Sequence, residues 1–258
     1  MKEPKPLYSS EMFMNSLASA RELVPLLIDL FQPNSVVDVG CGLGVWLSVF
    51  KQCQTSQVLG IDSLDYIDAQ KLMITSENFL NRDLTKLVDL KQSFDLALCL
   101  EVAEHLPEGS APTLIKSLTT LSSIVVFSAA VPNQGGVHHV NEQWVNYWLR
   151  LFQQEGYEVL DCLRPKIWNN PNIEPWYKQN LLVFVAPQLL PQVEKLLVAP
   201  SYHHQSVIHP ELWTRVLANK NAEIAILERQ IVLLKEDQLG VKNAVKNLWS
   251  NIKKKFLG

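Results

Sequence analysis

Residues 36–44 read VVDVGCGLG, and the stretch VWLSVFKQ follows at once. A short β-branched run passes into a glycine-rich turn, and the turn opens a helix. The run SVVDV at 35–39 shows no strict alternation of apolar and polar residues. That pattern belongs to a strand covered on both faces, as in a parallel sheet flanked by helices. Gly40, Gly42 and Gly44 carry no Cβ, so the backbone can pass close to a ligand there. In an open α/β sheet such a turn lies at the carboxyl end of the first strand, where ligands bind. These nine residues therefore constrain both the fold class and the place of a site.

The rest of the chain repeats the strand and helix alternation. Residues 16–31, SLASARELVPLLIDLF, carry apolar residues at helical spacing, and Pro33 and Asn34 close that helix. QVLGID is a second strand, NFLNRDL holds a third, FDLALCL a fourth and SSIVVFSA a fifth. Residues 110–121 read as a helix. In NEQWVNYWLRLFQQEG a helix is expected with Asn141 as its cap and Gly156 at its end. Its apolar face would be Trp144, Trp148, Leu151 and Phe152. YEVLDCL and NLLVFVA supply two last strands with no helix expected between them, so they should pair antiparallel. Between them RPKIWNNPNIEPWYKQ is too long and aromatic for a simple connector. Alternating strands and helices imply βαβ units and right-handed crossovers.

Two acids narrow the ligand. Asp38 sits just before the glycine turn, and Asp62 ends the second strand in LGID. A pyrophosphate-binding turn reads GxGxxG, but Val45 stands where its last glycine belongs. A carboxylate at position 38 repels a pyrophosphate and suits an ammonium group. Asp62 is placed to accept hydrogen bonds from a ribose diol. A ligand with a ribose, an amino-acid tail and no phosphate satisfies both, and S-adenosylmethionine has that constitution.

The chain resembles the class I S-adenosylmethionine-dependent methyltransferases over about residues 16–187. The resemblance rests on DVGCGLG at 38–44, GID at 60–62, RDL at 82–84 and FDLALCLEVAEHLP at 94–107. It implies a Rossmann-like α/β fold with a seven-stranded, mostly parallel sheet and one antiparallel strand. It also implies a donor site: Gly40, Cys41, Gly42 and Gly44 against the methionine part, Asp38 on its amino group, and Asp62 on the ribose. Asp83 would reach the adenine amine with Leu84 beside it. Cys99, Leu100 and Glu101 would border the donor near its methyl group. His105, within EVAEHLP, reads as support for the donor site.

The stretch VPNQGGVHHVNEQW follows the fifth strand, on the ligand-binding edge. Its glycines offer backbone access. His139, ahead of His138, is the candidate general base for an acceptor hydroxyl. Trp168, Trp176 and Tyr177 are candidates for a wall against a sugar ring, and Tyr8 and Phe13 for a cover over the donor. The fourth strand ends LCLEVAEH, without the NPPY-type motif of nucleic-acid N-methylating enzymes. The expected reaction is O-methylation of a sugar, glycan or other small-molecule hydroxyl. A non-catalytic scaffold that recruits partners or a membrane through its C-terminal helix is the second hypothesis. A nicotinamide-dependent enzyme is disfavoured by Val45.

Composition is that of a soluble globular protein, and the scattered cysteines make a reducing cytoplasm the expectation. Hydrophobic residues make up 47%, charged residues 19%, and the net charge is -3. No global basic field exists to draw in nucleic acid. The four cysteines form no CxxC pair, and no metal site is read from the sequence. The chain divides into a methyltransferase domain at 1–187, a linker at 188–209 and a helical extension at 210–258. In the extension Leu217, Ile224 and Ile231 recur every seven residues with Leu227 and Leu234 as companions, a coiled-coil-like stripe suited to self-association over 210–238. Gly240 is expected to interrupt it. The basic stretch 241–257, with Val241, Val245, Leu248, Trp249, Ile252 and Phe256 along its apolar side, suits weak contact with an anionic membrane surface.

Overall fold

A computed structural model describes the backbone of residues 10–65, 67, 69–193 and 207–256. The side chains of 10–15, 236–239, 244–245, 248–249 and 251–256 lie outside the described residues. So do the expectations for Tyr8, Phe13 and most of the apolar side of 241–257.

The chain falls into two compact units, Met1–Leu212 and Trp213–Gly258. In the first, helix α1 (Ser10–Phe31) precedes strand β1 (Ser35–Val39), and the glycine turn leads into α2 (Val45–Gln52). Strands β2 (Gln57–Asp62), β3 (Phe79–Asn81) and β4 (Leu96–Leu100) follow, then α3 (Ala111–Leu121), β5 (Ile124–Ser128) and α4 (Val145–Gln154). The end of the unit holds β6 (Glu158–Leu160), the short helices α5 (Arg164–Ile167) and α6 (Pro175–Asn180), β7 (Leu182–Val185) and α7 (Leu190–Val193).

All seven strands join one sheet in the order β3-β2-β1-β4-β5-β7-β6. β1 pairs parallel with both β2 and β4, and β4 with β5. β7 runs antiparallel to both of its neighbours, as the sequence suggested for the last pair. Strand order reverses direction between β1 and β4, so the crevice at their carboxyl ends is the topological switch point.

Side chains alternate across each strand and feed two cores. Val36, Leu96, Leu98, Val126 and Val183 pack on one face with α1 and α2. Val37, Ala97, Cys99, Val125, Phe127 and Phe184 pack on the other with α3 and α4. Both faces of the central strands are thus buried, which is why these strands read as continuous apolar runs.

Three local expectations are corrected. Helix α4 starts at Val145, not at Asn141, and Trp144 stands at its N-cap, 45% exposed. Asn141 is buried, and its amide donates to the Ala103 carbonyl. The loop between β6 and β7 contains α5 and α6, each opened by a proline in its first turn, where no N–H is missed. Helix α8 (Pro210–Phe256) runs through Gly240 without a break. One glycine in a helix interior costs only about 1 kcal/mol relative to alanine, too little to end a long helix.

The first unit closes at Leu212 because His209 and Leu212 are buried in it. In the second unit Leu217, Ile224, Leu227, Ile231 and Leu234 are all exposed along α8. Among the described residues no helix is long and apolar enough to cross a membrane.

Candidate active site

The glycine turn is built around left-handed backbone. Gly40 has φ +82°, and a Cβ there would lie 2.3 Å from Val102. A side chain at position 40 is therefore excluded twice, by backbone strain and by the segment that follows β4. The Gly40 amide donates to the Ile61 carbonyl at 2.7 Å, which fastens the turn to the end of β2.

Two carboxylates face this turn. Asp38 is 2% exposed, and its Oδ2 has no hydrogen-bond partner. Burial, and then the nearby Asp62 carboxylate, push the Asp38 carboxyl up to about 8. Asp62 accepts from the Gly42 amide at 2.8 Å and from the Ser63 amide at 2.7 Å. Burial lifts its carboxyl to about 6 against the pull of those two amides. An unsatisfied buried carboxylate costs free energy until a cation or donor meets it. The pair thus has the makings of an ammonium and hydroxyl site.

The other residues assigned to the donor fall into two groups. The Cys41 and Cys99 thiols belong to the core: Cys41 Sγ would sit 2.6 Å from a Cβ on Gly60, and Cys99 is fully buried among the β4 and β5 side chains. Cys41 and Cys99 can therefore offer a ligand only backbone. Leu84 and Leu100 are buried at 6% and 8%. Asp83 is exposed and holds its own turn, accepting from the Thr85 hydroxyl at 2.6 Å and the Thr85 amide at 3.0 Å. The Thr85 hydrogen bonds, with Lys86 beside them, keep its carboxyl below the usual range.

Beyond β4 and β5 the structure gathers a second cluster. Glu101 follows β4 with φ 54°, a strained value for a residue with a side chain. Its amide is held by the Ser128 carbonyl at the end of β5 at 2.9 Å. Its carboxylate accepts from Gln134 Nε2 at 2.8 Å and Asn180 Nδ2 at 3.2 Å. Glu104 is fully buried, and neither carboxylate oxygen has a hydrogen-bond partner. Burial, then the adjacent Glu101 carboxylate, push its carboxyl well above the usual range. The His105 and His139 rings meet edge to face at 4.9 Å between centroids. Burial, then the His139 ring, pull His105 down to about 4.

Glu142 explains the loop VPNQGGVHHVNEQW. It accepts from the Asn133 amide at 2.7 Å and the Gly135 amide at 2.8 Å, and it holds His139 Nδ1 at 2.9 Å. The Val140 and Asn141 amides both donate to the Glu104 carbonyl, at 2.8 and 3.0 Å. The loop is thereby tied to the segment after β4. His139 is half-buried and turned into the cluster, whereas His138 is exposed. Gly136 makes room for the imidazole, since a Cβ there would lie 2.2 Å from His139 Nε2.

The three aromatic candidates sit at different depths. Tyr177 is 4% exposed, and its ring packs edge-on against Trp46 at 5.2 Å in the core. α6 turns this side chain inward. Trp168 packs against the His209 ring at 4.5 Å, and Trp176 packs against Tyr177 at 5.9 Å. Both tryptophans stay half-buried.

A family model described as "Methyltransferase domain" matches residues 11–162, more than half of the chain. The chain is a class I S-adenosylmethionine-dependent methyltransferase. Its methyl donor is S-adenosylmethionine, and the residues present fit it: Asp38 has a buried, unpartnered oxygen that would suit an ammonium, and Asp62 a carboxylate beside the glycine turn that would suit a diol. One solved structure with a TM-score above 0.5 agrees on the fold of this methyltransferase, and two others are similar at lower scores. The sugar N-methyltransferase KedS8 from Streptoalloteichus sp ATCC 53650 is similar at 15% identity and TM-score 0.53, over 72% of this chain and 96% of that one. The methyltransferase domain of bacterial CtHen1-C is 19% identical with TM-score 0.48, over 67% and 98%. The plantazolicin methyltransferase BpumL, solved with a pentazolic desmethylPZN analog and SAH, is 20% identical with TM-score 0.48, over 69% and 86%. No curated protein sequence matches the chain.

Sequence reasoning missed Gln134, Glu142 and Asn180, and it gave His105 to the donor side. Glu142 had a signal, an acid three residues after a histidine. Asn180 had none, because its role depends on where α6 delivers it beside β7.

Proposed function

We propose that this methyltransferase O-methylates a hydroxyl of a sugar, glycan or similar small molecule. Asp38 takes the donor's ammonium, Asp62 its ribose, and Asp83 and Leu84 stand beside its adenine. Gly40, Gly42, Gly44 and the backbone of Cys41 run under the methionine part, and Leu100 and Glu101 close the site towards the reacting end. When bound, the donor supplies a methyl group on sulfur: the acceptor oxygen's electron pair forms the new O–CH3 bond while the S–CH3 pair stays on sulfur.

The observation that carries the reading is the His139–Glu142 contact of 2.9 Å on the acceptor side of the sheet edge. Glu142 orients the imidazole by its Nδ1 and leaves Nε2 free to take the hydroxyl proton as the bond forms. His138, exposed next to it, serves the loop rather than the proton. Holding acceptor and donor in line supplies most of the rate, and Trp168 and Trp176 are the rings left to contact a sugar. The test is transfer of radiolabelled methyl from S-adenosylmethionine to a panel of free and nucleotide-linked sugars, peptides and RNA. Alkali-stable label on a sugar hydroxyl is expected. Label confined to nitrogen, or to RNA or peptide, overturns the proposal.

A specific observation also favours self-association. The stripe of Leu217, Ile224, Leu227, Ile231 and Leu234 on α8 is exposed, and a second copy of the helix would cover it as in a coiled coil. Light scattering is expected to give a dimer or larger, and a strictly monomeric protein at high micromolar concentration overturns this.

A further inference from the structure

Glu104, His105 and His139 each offer one donor atom, and these atoms all lie within 4.8 Å of one another. The three come from two separate segments, the one after β4 and the one after β5. We propose that they bind one divalent first-row transition cation, with Glu101 as the carboxylate beside it. The inference rests on the acceptor side described above and amends one role there.

Four features support a built site rather than a chance cluster. Glu104 is 0% exposed, and both of its carboxylate oxygens lack a hydrogen-bond partner. A buried carboxylate with no donor is destabilising unless a cation joins it. His105 Nδ1 is also buried without a partner. His139 is held through Nδ1 by Glu142, which leaves Nε2 as the ligand atom. A carboxylate behind the far nitrogen is the usual way a metal-binding imidazole is oriented. Finally, Glu101 faces Glu104 while Gln134 and Asn180 clamp its own oxygens. Two negative groups side by side are what a divalent cation neutralises. The donor set mixes imidazole and carboxylate and contains no thiolate, since all four cysteines lie elsewhere. That mixture suits Mn2+, Fe2+, Co2+ or Zn2+ over a soft monovalent ion.

Three protein ligands leave positions open for the acceptor. With the cation in place, the His139 lone pair goes to the metal. The cation then acidifies the acceptor hydroxyl, and its proton passes to Glu101 or to water. The site thus selects an acceptor that presents an oxygen ligand.

Mn2+ binding read by electron paramagnetic resonance tests this on the full chain, with S-adenosylhomocysteine titrated into the same samples by calorimetry. The wild type is expected to quench the free Mn2+ signal at one equivalent. Glu104→Gln and His139→Gln should each weaken Mn2+ about ten-fold or more, with S-adenosylhomocysteine affinity retained as proof of folding. Absence of Mn2+ binding, or equal binding by wild type and both variants, overturns the cation site. If S-adenosylhomocysteine binds and Mn2+ does not, the cation site fails and the donor site stands. If Mn2+ binds at these residues and S-adenosylhomocysteine does not, the donor site fails and the cation site stands.

Discussion

The two halves of the sheet edge are built in opposite ways. On the proposed donor side, one contiguous stretch, residues 38–44, supplies the turn and the first acid, and Asp62 answers from the adjacent strand. On the proposed acceptor side, Glu101, Glu104, His105, Gln134, His139, Glu142 and Asn180 converge from three distant segments. The difference has a physical origin. The donor side needs backbone in unusual conformations, and only glycine at fixed spacing provides it. The acceptor side needs side chains in mutual contact, and any loops that the sheet brings together can provide them.

This contrast predicts that substitutions separate the two sides. The largest effect is expected from Asp38→Asn. Removing one partner of a buried charge pair costs about 3 kcal/mol or more, so donor affinity should fall at least about a hundred-fold by calorimetry. The same change should raise the melting temperature of the ligand-free protein at pH 8. A carboxyl lifted to about 8 holds its proton where the unfolded chain has lost it, so its stability contribution declines from near pH 4 to pH 8. Asparagine removes that decline. Next comes His139→Ala. Turnover should drop about a hundred-fold or more, while donor affinity stays within about two-fold of wild type. A collapse of donor affinity would mean that the two sides are one.

A pH titration sharpens the donor half. Ammonium binding needs Asp38 ionised, and at pH 7 it is still protonated without donor. Donor affinity should rise from pH 6 to a maximum near pH 8, then decline as the donor's own amine loses its proton in its ordinary range of roughly 7.7–8.0. Calorimetry in buffers of different ionisation enthalpy should show close to one proton released per donor at pH 7. Affinity that falls across pH 6–8 contradicts the assignment of Asp38. A smaller effect is expected from Gly136→Ala. Its methyl would push the His139 ring aside, so turnover should fall roughly ten-fold with no change in donor binding. The smallest is expected from Asp83→Ala. Its carboxylate serves its own exposed turn, and donor affinity should weaken by no more than about five-fold.

The same contrast governs what the sequence shows in advance. Strands β1 and β2 were legible to the residue, because each is a short run of β-branched and apolar residues bounded by turn residues. The antiparallel pairing of β6 and β7 was expected from two strands with no helix between them, and the pairing holds although α5 and α6 lie in the connection. The positions of Asp38 and Asp62 beside the glycine turn were legible because both attach to strand ends. Glu142 and Asn180 were not, because a carboxylate that organises a loop looks like any polar residue until the loop closes. The burial of Tyr177 was not legible for a related reason. An aromatic residue in a long loop suggests a surface, but α6 turns this one inward against Trp46. Asn141 has the right chemistry for a helix cap, yet its place is taken by the contacts that tie the loop to Ala103 and Glu104.

The most direct test is one calorimetric comparison: S-adenosylhomocysteine titrated into the wild type, Asp62→Ala and His139→Ala at pH 8. Binding by the wild type, loss of at least about ten-fold in Asp62→Ala and near-native affinity in His139→Ala are expected. No binding by the wild type, or equal affinity for Asp62→Ala and the wild type, would contradict the account.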